Sequence, residues 1–135
     1  MSESPDLPGD LLALAREDLV AAEALDKDER ISDSPVGFHA QQAVEKALKA
    51  VIASRESEFP FTHDLGLLMQ LCEDAGLELP AELTEADRLT PYAAAIRYGL
   101  GDPKAVEAER AIRWAAQAID WADAEIHPGE DVSGQ

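Results

Sequence analysis

Imidazole, amide, carboxylate and ammonium groups crowd one short stretch of the chain, GFHAQQAVEKALKAVIAS, residues 37–54. His39, Gln42, Lys46 and Lys49 recur at spacings of three and four, which puts them on one stripe of a helix. Gln41 falls on the neighbouring apolar stripe, three and seven residues before Val44 and Leu48. A buried amide without partners costs about 1–3 kcal/mol, so Gln41 must meet a backbone group or a polar side chain between helices. Glu45 stands four residues before Lys49, the favourable order for an ion pair on a helix. From Glu45 to Arg55 the local charge is positive, whereas residues 56–87 hold nine acids and no base. Concentrated positive charge is suited to a phosphate. A solvated face held by the Glu45/Lys49 pair is the plainer reading of the same residues.

Other chemistries lack their residues. There is no glycine-rich phosphate loop, no paired-cysteine motif, no HExxH and no GxSxG. His39, His63 and His127 have no metal-ligand spacing to one another or to Cys72, so neither a metal nor another cofactor is expected. Cys72 is the single cysteine and sits in an apolar helical stretch, where it reads as a small buried hydrophobe.

The elements that must position this stripe are helices. The chain has 135 residues, enough for one domain with a proper core. Alanine, leucine and glutamate are abundant, and these lose little entropy on entering a helix. A first helix is expected from about Pro8–Asp10 to Lys27, followed by a charged loop. Ser34-Pro35 reads as the start of the second helix, which runs to about Ala53 and buries Ala40, Val44, Ala47, Leu48 and Val51. Thr62 is a candidate cap for a third helix, with Asp64 in its first turn, Leu65, Leu68, Met69 and Cys72 inward, and Gly76 as its stop. A fourth spans about Ala81 to Tyr98, kinked or restarted at Pro91 and ended by Gly99 and Gly101. Asp102-Pro103 opens a fifth, whose seam reads Ala105, Ala108, Ile112, Ala115, Ile119, Ala122, Ile126. Trp114 and Trp121 flank that seam, either at the edge of the core or as a dimer surface. No period-two strand pattern or internal repeat is seen, so the fold class is all-α, an up-and-down antiparallel bundle of about five helices. Residues 1–8 read as a flexible arm, 9–126 as the single domain and 127–135 as a disordered tail.

The formal net charge is −17, from 28 acidic and 11 basic residues. Such a polyanion is repelled by nucleic acid except at a local basic patch. The acidity serves solubility, adaptation to a salty cytoplasm, or a basic partner. No run is long and apolar enough for a membrane span and the first residues lack a secretory signal, so a cytoplasmic location is expected.

FHAQQAVEKALKA (residues 38–50), the following HDL (63–65) and AIRY (95–98) together resemble the HEPN family, over roughly residues 10–125. The glutamine pair followed by EKALKA is the more specific part. The resemblance implies a small antiparallel helical bundle, like the substrate-binding subunits of nucleotidyltransferases, and commonly a homodimer. It implies a toxin–antitoxin or defence role beside a nucleotidyltransferase-fold partner. Many HEPN domains are metal-independent RNases in which an arginine is followed, four to six residues on, by a histidine, and two copies meet across a dimer. A guanidinium there stabilises the phosphorane charge while an imidazole moves the 2′-hydroxyl proton.

Here Arg97 is followed by YGLGDPKA, without a histidine through Ala105. The resemblance therefore makes Arg97 with a displaced His63 (or His39) the candidate catalytic pair. His39, Gln41, Gln42, Lys46, Lys49, Asp64 and Tyr98 are the candidate binding residues. The leading expectation is a non-catalytic or weakly catalytic domain acting through a partner. The rival is an RNase toxin. A nucleotide-binding module at Lys46, Lys49 and Arg97 is the third reading. RNA and nucleotides are thus candidate ligands; DNA and membranes are not.

Overall fold

The computed structural model describes residues 6–98 and 106–128, with the side chains of 95–98 outside the described set. It is built from five α-helices and one 3₁₀ segment, with no strand among the described residues. α1, Leu7–Asp26, starts where the Asp6 carboxylate accepts from the Gly9 N–H at 3.0 Å, and it turns Leu12, Ala15 and Ala22 inward. Such an acidic cap satisfies an orphan donor of the first turn. α2, Asp33–Ser54, is the central element, covered by α1 and α5 and by the α3–α4 region. Its five expected core positions are all fully buried, and so are Ala43 and Ala50. Small side chains at such contacts allow helices to pack closely.

Helix α2 begins at Asp33 rather than Ser34-Pro35, with Ser32 as its N-cap and no side-chain cap bond. Pro35 fits in that first turn because the N–H it lacks would have had no helical acceptor. At its other end, Glu56 adopts φ 61° while its N–H donates to the Ala53 carbonyl and that of Ser57 to the Ile52 carbonyl. This is a left-handed stop made without glycine.

α3, Leu65–Asp74, is capped by Asp64, which accepts from the Leu67 N–H at 3.3 Å, and not by Thr62. The Thr62 hydroxyl instead accepts from the Asp64 N–H at 3.0 Å and so sets the cap residue in place. Leu65, Leu68, Met69 and Cys72 face the core as expected, and Gly76 at φ +89° ends the helix.

The expected fourth helix is two elements. Glu82–Leu89 is a 3₁₀ segment, and α4, Thr90–Tyr98, starts afresh with Pro91 in its first turn. The 3₁₀ segment buries Leu83, Ala86 and Leu89, three residues apart, a period that matches three residues per turn. Tyr92 of α4 lies against Gly37 of α2, where an added Cβ would come within 2.4 Å of the tyrosine ring. A glycine at this position is what permits the close crossing.

α5 runs Ala108–Ile126, beginning later than expected; Asp102-Pro103, Gly99 and Gly101 lie outside the described residues. Val106 is buried and its N–H donates to the Tyr92 hydroxyl at 3.0 Å, and Glu107 is extended, so the helix starts only beyond them. The inward stripe is rotated from the expected seam. It carries Ala111, Trp114, Ala115, Ala118, Ile119, Trp121 and Ala122, while Ala108, Ile112 and Ile126 are only half-buried. Both tryptophans are interior, which removes them as the centre of a dimer surface. The Trp121 indole donates to the Glu78 carbonyl at 3.1 Å, and the guanidinium groups of Arg88 and Arg110 stand over the Trp114 ring, 5.8 and 5.1 Å from its centroid. The large rings win the interior because they bury far more area than alanine does.

Candidate functional site

The polar stripe of α2 divides into two clusters, each organised by a carboxylate. In the first, Glu45 is 4 % exposed and receives three side-chain donors. The Gln41 amide donates to Oε1 at 2.8 Å, His63 Nδ1 lies 2.9 Å from the same oxygen, and Lys49 Nζ donates to Oε2 at 2.7 Å. Burial alone would raise the Glu45 carboxyl, but the bonds from Lys49, His63 and Gln41 outweigh it and hold the group below its ordinary value. An ionised carboxylate only accepts, so His63 carries its proton on Nδ1 toward Glu45. Nε2 makes no hydrogen bond among the described residues, and the His63 side chain is 46 % exposed.

Gln41 is fully buried and finds its partners, as its position required. Besides Glu45, its amide reaches the His63 carbonyl at 3.3 Å, and its Oε1 accepts from Gln42 at 2.7 Å. α2 is therefore joined to the segment ahead of α3 twice, by Gln41 through the His63 backbone carbonyl and by Glu45 through the His63 side chain. Leu65 adds a second tie, its N–H donating to the Thr90 hydroxyl at 3.1 Å, which links the start of α3 to the start of α4.

The second cluster lies where α1 meets α2. Asp18 accepts from Lys46 Nζ at 2.6 Å, and His39 Nδ1 lies 3.0 Å from its other oxygen. The Phe38 ring meets the His39 ring edge-on at 5.2 Å. Asp18 was not among the expected site residues, although the sequence carries the signal. It lies three residues after Ala15 and four before Ala22, both fully buried, so a carboxylate there must find a donor.

These pairings bear on two expectations. The Glu45/Lys49 pair does not hold a solvated face: the two side chains are only 6 % and 12 % exposed. Nor is the positive charge of residues 45–55 free, since Lys46 is bound to Asp18, Lys49 to Glu45 and Arg55 to Glu125 at 2.7 Å. Lys49 also stands over the Phe59 ring, 5.4 Å from its centroid. Asp64 is occupied as the α3 cap. Arg97 and Tyr98 are the last two residues of α4, and their side chains lie outside the described residues.

Among the described residues no three histidine, cysteine or acidic side chains are grouped to hold a metal, and no helix is long and apolar enough to cross a membrane. Cys72 is buried, and burial pushes its thiol up to about 11, which suits packing and not nucleophilic chemistry.

Similarities to known proteins agree with this architecture. No curated protein matches the chain. Among solved structures, TT1696 from Thermus thermophilus superposes with a TM-score of 0.69 at 27 % identity, covering 89 % of this chain and 98 % of that one. ST0689, described as an archaeal HEPN homologue, superposes with a TM-score of 0.68 over the same shares at 20 % identity, a likeness of fold. The family model described as HEPN domain matches residues 9–126. The chain is therefore a member of the HEPN domain family.

Proposed function

We propose that this HEPN domain has little or no catalytic power of its own and acts through a nucleotidyltransferase-fold protein in a toxin–antitoxin or defence-type system. The observation that carries the reading is the run after Arg97, which reaches Ala105 without the histidine of the RNase motif. The pairing of Lys46, Lys49 and Arg55 with carboxylates supports it, because it leaves α2 a weak electrostatic attraction for RNA phosphates. The same pairing weakens the case for a nucleotide site at Lys46 and Lys49. Co-expression with a nucleotidyltransferase-fold protein from the same host, followed by size-exclusion chromatography, tests the reading. A stable joint peak is expected; separate elution at micromolar concentration refutes it.

A second reading is favoured by one detail. His63 is oriented through Nδ1 by a buried carboxylate and turns Nε2 to a half-exposed surface, an arrangement a general base requires. On this reading Arg97 and His63 form a displaced RNase pair. A cleavage assay in EDTA separates the two readings.

A further inference from the structure

Resting on the partner-dependent reading, we propose that the outer face of α3 is a docking surface for a basic segment of a protein partner, which seats one aliphatic side chain in a notch beside Cys72. The notch has a volume of about 110 Å³ and lies between the end of α2 and the end of α3. Ile52, Leu71, Cys72, Ala75 and Leu77 wall it, and Arg55, Ser57 and Glu58 complete the lining. Apolar cavities of about 150 Å³ admit a benzene-sized guest, so this one suits a single side chain and is too small for a nucleotide. An apolar strip leads to it. Leu67, Leu71 and Ala75 follow one another at intervals of four along α3, with Leu67 and Ala75 exposed and Leu71 half-buried.

Charge decides the occupant. Residues 56–87 contain nine acids and no lysine or arginine, and Glu56, Glu58, Glu73, Asp74 and Glu78 are all exposed beside the notch or next to its walls. Arg55, the one cation in the lining, has its guanidinium taken by Glu125 at 2.7 Å. A second copy of a chain with net charge −17 meets repulsion here, whereas a lysine- or arginine-rich segment is attracted and oriented. The aliphatic anchor then supplies the fit that long-range attraction lacks.

The test uses fluorescence anisotropy with a labelled helical peptide bearing lysines on one face and a central leucine. Binding is measured for the whole chain, for Ala75→Leu, which fills the notch, and for the pair Glu58→Gln with Asp74→Asn. A charge-matched control pair, Glu17→Gln with Asp120→Asn, lies on the exposed faces of α1 and α5. Affinity is expected to fall at least about tenfold for the notch variants and for a peptide whose leucine is replaced by asparagine, and less than about twofold for the control pair. Equal loss for both charge pairs, or indifference to the peptide leucine, overturns the docking surface. If a nucleotidyltransferase-fold partner still co-elutes in that case, the partner-dependent reading survives and only the α3 face is wrong.

Discussion

His63 and Gln41 share one acceptor: both approach Oε1 of Glu45, at 2.9 and 2.8 Å, so the histidine ahead of α3 and the buried amide of α2 are held by the same carboxylate oxygen. That oxygen joins two segments separated by the whole 55–62 loop. Removing its charge must therefore affect the stability of the bundle and the placement of His63 together.

Glu45→Gln is expected to destabilise the fold by about 2–4 kcal/mol in urea titration at neutral pH, because Lys49 is left nearly buried without a counter-charge. The folded carboxyl lies below its ordinary value of about 4.3, so its contribution is fully present above that value and is lost as pH falls through the folded one. The gap between wild type and variant should shrink as pH falls below about 4. A gap that stays constant from pH 7 to about 3 would show that the charge does not stabilise the fold.

Glu56 holds a left-handed conformation at φ 61°, which costs a residue with a side chain about 1 kcal/mol. Glu56→Gly should raise stability by roughly 0.5–1 kcal/mol, visible as a higher urea midpoint at unchanged slope. Destabilisation would mean that the Glu56 side chain contributes more than its backbone strain costs.

The crossing of α2 and α4 should be intolerant of bulk. Gly37→Ala places a methyl group 2.4 Å from the Tyr92 ring and is expected to cost about 1–3 kcal/mol. Tyr92→Phe removes the acceptor of the Val106 N–H and should cost a similar amount, about 1–3 kcal/mol. Since the two residues touch, the double variant should depart from additivity, which a double-mutant cycle measures.

Cys72 should resist iodoacetamide in the native protein at pH 8, since its thiol is both buried and pushed up to about 11. Rapid alkylation in denaturant and slow alkylation without it are expected. Native labelling at the rate of a free thiol would place Cys72 at the surface.

The parts of the fold legible in the sequence were those where a cost forced the answer. Gln41 on an apolar stripe demanded a partner, and Pro91 demanded a kink or a restart; a partner and a restart are seen. Its partner outside α2, the His63 carbonyl, was not legible, because that carbonyl reaches Gln41 only after the 55–62 loop closes, and no spacing rule spans that loop. The seam of α5 was misread because alanine lies on several of its faces, and the choice fell to where Trp114 and Trp121 could be buried. The 3₁₀ segment could have been suspected from Leu83, Ala86 and Leu89 at intervals of three. Asp18 went unnoticed as a site residue because its partners, His39 and Lys46, are on another helix.

The decisive measurement incubates the purified chain, in excess and with EDTA, with tRNA or total RNA beside the Arg97→Ala and His63→Ala variants. The wild type is expected to leave the RNA intact or to cleave it no faster than either variant. Cleavage by the wild type that both substitutions abolish would contradict a domain with little or no catalytic power and make the chain an RNase built on a displaced histidine.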